Sequence, residues 1–290
     1  MTTCPIRAVE SSIYPGSQLE FVGAEISVGA TSRIYKLRKG QGGEVYAGKL
    51  YSKSAMNEDA LKATISREKA AMSCSDHPSI LKLVEHITLD NYELLVTELC
   101  NGKNLAEIMR HSKIKKKCFQ PRLAMEVLMD LLDGLIDLLK GGVIHRDIKP
   151  ENIGTHNGKA KILDFNASTK QYPMTVIGTP VYQAPETFNM QEYDYKCDVW
   201  SLGVTLYMLL FGRDPWNSYS VFTDTSQEPT EPGRFGEDLP FPPDPKQHIP
   251  AELRSMIRQM ITKEPDKRPT YEQIRSQTER ILHQLNHPQS

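Results

Sequence analysis

The sequence predicts an α+β fold in two parts, a strand-rich first lobe carrying one helix and a mainly helical second lobe. Three observations predict it. Up to Cys100 the chain holds short β-branched and aromatic runs divided by turn residues, and beyond it apolar residues recur at helical spacing. Strands come first and helices second, without the alternation of a βαβ protein, which argues for segregated layers. The 290 residues, 39% hydrophobic and 24% charged, have the composition of an ordinary globular protein of one large or two small domains.

In chain order, Phe21 to Val28, Arg33 to Leu37, Glu44 to Leu50, His86 to Leu89 and Glu93 to Leu99 read as strands. Lys39-Gly40-Gln41-Gly42-Gly43 turns between two of them. One helix, Glu58 to Ser73, interrupts the series and ends before the His77-Pro78 breaker. In the second lobe Pro121 suits a first helical turn, and Val127, Leu128, Leu131, Leu132, Leu135, Ile136 and Leu139 repeat at helical spacing to the Gly141-Gly142 stop. Val199 to Phe211, Ala251 to Ile261 and Tyr271 to Leu285 are further helices. Ile153 to Phe165 reads as two short strands joined by an Asn157-Gly158 hairpin turn. Eight of the 19 prolines fall between Pro215 and Pro250, so most of 217–245 is expected to be an irregular surface loop. The expected divisions are an extension at 1–19, a first lobe at 20–97, a connection at 98–103, a second lobe at 104–285 and a tail at 286–290.

Charge excludes some functions. Lys plus Arg (35) nearly balances Asp plus Glu (36), which favours neither a nucleic-acid-coating protein nor an acidic tail. The basic run Lys113-Ile114-Lys115-Lys116-Lys117 has no interleaved aromatics and reads as a solvated connection. Met1 to Glu10 lacks the pattern of a secretory leader, and Val199 to Gly212 is shorter than the ~20 residues of a membrane span. Five scattered cysteines, never spaced as CxxC, read as reduced thiols and suggest the cytoplasm, or the nucleus.

The chemistry concentrates in His145-Arg146-Asp147-Ile148-Lys149-Pro150-Glu151-Asn152, followed across the small hairpin by Asp164-Phe165-Asn166. Transfer of a phosphoryl group needs a carboxylate to orient the attacking hydroxyl, oxygen ligands for Mg²⁺ and a cation against the moving charge. Asp147, Asn152, Asp164 and Lys149 supply these from two neighbouring loops.

This segment resembles the catalytic loop of the eukaryotic protein kinases, serine/threonine type. Further motifs carry the resemblance: Gly178-Thr179-Pro180-Val181-Tyr182-Gln183-Ala184-Pro185-Glu186, Asp198-Val199-Trp200-Ser201-Leu202-Gly203 and Lys267-Arg268-Pro269-Thr270, the last supplying an arginine for Glu186. Upstream, Val45-Tyr46-Ala47-Gly48-Lys49 looks like the strand of the phosphate-binding lysine, and Glu68 like its helix partner. The resemblance implies a bilobal protein-kinase fold that uses ATP and Mg²⁺ to phosphorylate Ser or Thr hydroxyls of protein substrates. Asp147 would orient the hydroxyl, Lys149 and Lys49 would offset phosphate charge, and Thr179 would bond both Asp147 and Lys149. Asn152 and Asp164 would bind the metal.

Glu98, Leu99 and Cys100 would form the hinge that pairs with adenine, behind Thr97 as gatekeeper. Ile26, Ile34, Ala47 and Ile153 would sandwich the base, Gly29 would approach the phosphates and Asn104 would stand near the ribose. Thr175 would accept an activating phosphate that Arg146 binds, and an activating kinase or separate partner would regulate the enzyme.

Two segments depart from the family. The glycine-rich loop reads Ser27-Val28-Gly29-Ala30-Thr31-Ser32-Arg33-Ile34, with only the middle glycine kept, which implies altered nucleotide binding. Asn166 stands where the family has the glycine of Asp-Phe-Gly, and asparagine is the side chain best tolerated at positive φ. The alternative is therefore a catalytically weak pseudokinase or scaffold acting through protein contacts. A third reading, a small-molecule kinase, fits poorly with the intact Gly178–Glu186 segment. Gly43 to Lys49 also satisfies the front of a P-loop, but Leu50 stands where Ser or Thr should bind Mg²⁺.

Overall fold

A computed structural model describes residues 19–29, 31–40, 42–114, 118–170, 173, 178–189, 192–216, 241 and 249–287. Thr175, Ala30, Lys115 to Lys117, and all of 217–245 but Phe241 lie outside these residues. The chain divides into two compact units, one of residues 1–76 with 81–100 and the other of 77–80 with 101–290.

The first unit is a five-stranded antiparallel sheet with one helix. Its strands β1 (Leu19–Val28), β2 (Ser32–Lys39), β3 (Val45–Ser52), β4 (Leu83–Thr88) and β5 (Tyr92–Glu98) lie in the order β1-β2-β3-β5-β4. Side chains alternate across a strand, so Leu50 faces a core of Leu19, Tyr35, Leu37, Leu89, Leu94 and Val96. Ala47, Lys49 and Tyr51 take the other face. Helix α1 (Glu58–Met72) starts where the Asn57 side chain accepts from Asp59 N at 2.8 Å and Ala60 N at 3.3 Å. Its buried stripe is Leu61, Thr64, Ile65, Glu68, Ala71 and Met72, so a carboxylate sits in a row otherwise given to packing. The P-loop look-alike falls largely on β3, a strand where a phosphate cradle needs a loop opening a helix. The fourth strand spans Leu83–Thr88, earlier than the expected His86 to Leu89, because Leu83, not His86, opens the pairing with β5.

The second unit is mainly helical: α2 (Leu105–Ile114), α3 (Pro121–Lys140), α4 (Lys196–Phe211), α5 (Ala251–Met260) and α6 (Tyr271–Asn286), with a hairpin β6 (Ile153–His156) and β7 (Lys159–Ile162). Helix α2 is an addition to the expected elements. Asn104 Oδ1 accepts from Glu107 N at 2.8 Å while Asn104 N donates to Glu107 Oε2 at 3.0 Å, a reciprocal cap legible as Asn-x-x-Glu. The hairpin turn has φ of 52° at Asn157 and 80° at Gly158, as the Asn-Gly pair predicts. The expected strand pair ends at Ile162, and Leu163 to Phe165 run on as loop.

Helix α4 is buried on every side from Cys197 to Phe211, which makes it the centre of the unit. Gly203 lets it approach the end of α5: a Cβ there would stand 2.8 Å from Ile261 Cγ1 and 2.9 Å from Met260 Cβ. Gly203→Ala would gain about 1 kcal/mol of helix propensity, but overpacking a core costs about 1–3 kcal/mol. The obstructing Met260 Cβ is fixed to a helix backbone, so overpacking wins. Urea unfolding is expected to show a net loss of about 1 kcal/mol; a gain would mean that α5 moves aside freely.

Candidate active site

The loop at 145–152 is held from behind by α4. The buried Asp198 carboxylate accepts the backbone N–H of His145 at 2.8 Å and of Arg146 at 2.7 Å. Burial pushes the Asp198 carboxyl above its ordinary pKa, opposed by the nearby His145 and by these two N–H groups. The His145 ring completes the brace. Nε2 lies 3.0 Å from the Leu163 carbonyl, Nδ1 accepts from Asp147 N at 3.2 Å, and the ring meets Phe165 edge-on at 5.2 Å. Arg146 adopts φ of 68°, unusual for a long side chain, and this brace holds it there.

Asp147 projects from that loop into a set of donors. Oδ2 receives Lys149 Nζ at 2.8 Å and Asn152 Nδ2 at 2.9 Å, and Oδ1 receives both the N–H and the hydroxyl of Thr179 at 3.1 Å. Lys149 Nζ also donates to Thr179 Oγ1 at 2.6 Å. The four residues thus form one cluster, although Thr179 lies 32 positions from Asp147. Gly178 makes the approach possible, with φ of +114° and a Cβ position 2.7 Å from the Arg146 carbonyl. No side chain fits there.

Asn152 donates through Nδ2 to Asp147 O and Oδ2, both at 2.9 Å, which leaves its Oδ1 as acceptor. Leu163 N donates to Asn152 O at 2.8 Å, tying the strand before Asp164 to the same loop. An amide oxygen and the Asp164 carboxylate are hard donors of the kind Mg²⁺ takes. Among the described residues no group of three His, Cys, Asp or Glu stands ready to cage a metal. Phosphate and water oxygens would have to complete the shell, as in a site that binds metal together with a nucleotide. Asn166 corrects one expectation: the positive φ falls on Asp164, at 56°, and Asn166 has none. The position needs no glycine, and Asn166 N donates to Asp164 Oδ1 at 3.3 Å.

In the first unit Lys49 Nζ lies 2.9 Å from Glu68 Oε1, with side-chain exposures of 12% and 3%. The Tyr51 hydroxyl donates to the same oxygen. Sequence reasoning missed Tyr51, although the period of two along β3 from Lys49 marks it. Ala47 pairs with Thr97 across β3 and β5, and Ile34 with Lys49 across β2 and β3. Thr97 is buried and donates through Oγ1 to Glu98 O at 3.2 Å. Gly29 N closes the β1–β2 turn on Ser32 O at 2.8 Å, and Ile26 is 50% exposed on β1. Cys100 is half-buried at the end of the first unit.

Two expected nucleotide contacts find other work. Ile153 is 0% exposed, so its side chain offers no surface to a base. Asn104 uses its side-chain oxygen to cap α2, as described, and only its N–H₂ remains for a sugar. Arg146 is buried, with Nε donating to Ala167 O at 2.5 Å and Nη1 to Tyr193 Oη at 3.4 Å. Its supposed phosphate partner, Thr175, lies outside the described residues.

The protein kinase domain family matches residues 22–278 of this chain. The mouse (Mus musculus) protein named ribosomal protein S6 kinase alpha-4 is 32% identical over 284 residues, 92% of this chain and 35% of its own length. Calcium-dependent protein kinase 4 of Plasmodium falciparum (isolate 3D7) is 34% identical over 80% of this chain and 44% of its own. Serine/threonine-protein kinase ULK3 of Xenopus laevis is 30% identical over 84% and 51%. The chain thus spans between 35% and 51% of the length of these three relatives.

Proposed function

This chain belongs to the protein kinase family, and from that premise we propose that it transfers the γ-phosphoryl group of ATP to serine and threonine hydroxyls of proteins. The observation that carries the reading is the cluster around Asp147. A carboxylate fixed by Lys149, Asn152 and Thr179 is aimed before any substrate arrives, and preorganisation of this kind is the main thing a phosphoryl-transfer enzyme supplies.

Each residue then has a task. Asp147 accepts the hydrogen bond of the incoming hydroxyl, orients its oxygen in line with the phosphorus and takes its proton as the bond forms. Lys149, beside it, offsets negative charge gathering on the transferred group. Thr179 holds Asp147 and Lys149 at fixed separation. Lys49, steadied by Glu68, neutralises the phosphates from the first unit. Asn152 Oδ1 and the Asp164 carboxylate would hold Mg²⁺, which when bound supplies positive charge against the phosphate oxygens. Protein substrates, an activating kinase acting on Thr175, and a cytoplasmic or nuclear site of action belong to the same proposal. No helix among the described residues is long and apolar enough to cross a membrane.

One observation favours the scaffold alternative. The turn that should cover the nucleotide keeps only Gly29, and it is closed on Ser32 by its own backbone. Intact-mass spectrometry decides between the two. Phosphatase-treated protein given ATP and Mg²⁺ is expected to gain phosphate in the wild type, and neither in Asp147→Asn nor after chelation with EDTA. Peptide mapping is expected to place the phosphate on Thr175. No gain in any sample, with a protein substrate also unlabelled, would overturn the transferase reading and leave the scaffold.

A further inference from the structure

We propose that Tyr51 is a positioning residue for Lys49, acting through the Glu68 carboxylate. Its importance for rate rests on the kinase reading above, whereas its geometry stands within the first unit alone.

Lys49 and Tyr51 are two residues apart on β3 and therefore share the face that carries Glu68 on α1. Lys49 Nζ and the Tyr51 hydroxyl meet on one atom, Glu68 Oε1. The ammonium also stands 5.5 Å from the Tyr51 ring centroid. Cation, carboxylate and phenol thus close a triangle, each side of which is a contact made by the fold. Tyr51 is fully buried. A phenylalanine would fill the same volume, so packing alone does not call for the oxygen. Burial, reinforced by the negative charge of Glu68, pushes the phenol far above its ordinary pKa, so near neutral pH it stays protonated and donates.

What the hydroxyl fixes is rotation. The terminal torsion of a glutamate is broad, and a single lysine on a flexible stem constrains it poorly. A second donor rooted in the rigid sheet pins Oε1, and Lys49 is then held where that oxygen stands. Without the phenol, Glu68 and Lys49 would still pair, but the pair would occupy several arrangements and reach the phosphates in only some of them.

Tyr51→Phe, Glu68→Gln and the double variant test this. The first readout needs no catalysis: brief labelling of the folded proteins with acetic anhydride, with modification of Lys49 counted by mass spectrometry. Labelling of Lys49 is expected to rise several-fold in Tyr51→Phe. The second readout is kinetic, a fall of about tenfold in kcat with KM for ATP changed less than about threefold. In the Glu68→Gln background the Tyr51→Phe change is expected to add less than about twofold to either. Unchanged Lys49 labelling would overturn the proposal, and so would activity lost only in step with melting temperature, or effects that simply add in the double variant. If the wild type itself transfers no phosphate, the kinase reading fails, and the labelling still decides whether Tyr51 restrains Lys49.

Discussion

Asp147→Asn is expected to lower the rate of phosphate transfer by about 10³-fold, within the range by which positioned acid–base groups accelerate reactions. The reason lies in the count of donors. An ionised carboxylate accepts on both oxygens, and in this protein both are in use: Oδ2 by Lys149 and Asn152, Oδ1 by Thr179. An asparagine has one oxygen and one N–H₂. If its oxygen faces Lys149, its N–H₂ confronts the N–H and hydroxyl of Thr179. If it turns over, two donors meet the Lys149 ammonium side instead. Either way the substituted group is displaced, and it also lacks the negative charge that orients a hydroxyl and receives its proton. Asp147→Glu keeps the charge but adds a methylene to a group pinned from two sides, so it is expected to lose nearly as much. Steady-state assays should find KM for ATP within about threefold of the wild type, since the nucleotide is assigned to other residues. An Asp147→Asn enzyme within tenfold of the wild type would remove Asp147 from the reaction.

The largest loss of stability is expected from Arg268→Ala, about 3–5 kcal/mol, the usual cost of removing one partner from a buried ion pair. Arg268 has 0% side-chain exposure and grips Glu186 with both Nη atoms, at 2.6 and 2.8 Å. The same guanidinium satisfies the carbonyls of Thr262 at 2.7 Å, Lys196 at 2.9 Å and Lys263 at 2.9 Å, and lies 5.0 Å from the Trp200 ring. Alanine would leave a carboxylate and three carbonyls without their donor. Glu186 keeps 15% exposure, so some water can reach it, which tempers the loss. Arg268→Lys is expected to recover little, because an ammonium has no planar fork to meet a carboxylate on two sides. Denaturant unfolding followed by circular dichroism measures both; a loss below 1 kcal/mol for Arg268→Ala would show that the site relaxes and hydrates without difficulty.

The sequence carried the framework well where the signal was local. Asn157-Gly158 fixed a hairpin turn because both residues tolerate positive φ, and the leucine spacing after Pro121 fixed a helix. The cluster around Asp147 was legible for a different reason, since Asp147, Lys149 and Asn152 sit within six residues and their motif is dense. What escaped was tertiary or read against the grain. Glu68 taken alone looks like a solvated helix charge between Arg67 and Lys69, but its position three residues past Ile65 and three before Ala71 puts it in the buried stripe. Tyr51 resembled any strand aromatic, because nothing nearby in sequence announces a carboxylate arriving from α1. Ile153 is expected at the base from the family resemblance, whereas full burial removes its side chain from any surface. Helix α2 is the subtler case: its signal is the Asn104–Glu107 cap, a four-residue pattern without a strong apolar period behind it.

The two hydrogen bonds from His145 and Arg146 to Asp198 bear on how the loop opens. Surface loops ordinarily exchange their amide hydrogens through small local fluctuations that leave the rest of a domain intact. These two amides end on a carboxylate of α4, the helix enclosed on all sides, so releasing them would strand a charge inside the core. Their exchange is therefore expected to follow cooperative unfolding of the second unit. The segment at 145–152 has the shape of a loop and the anchoring of the core, which lets the positive φ of Arg146 persist.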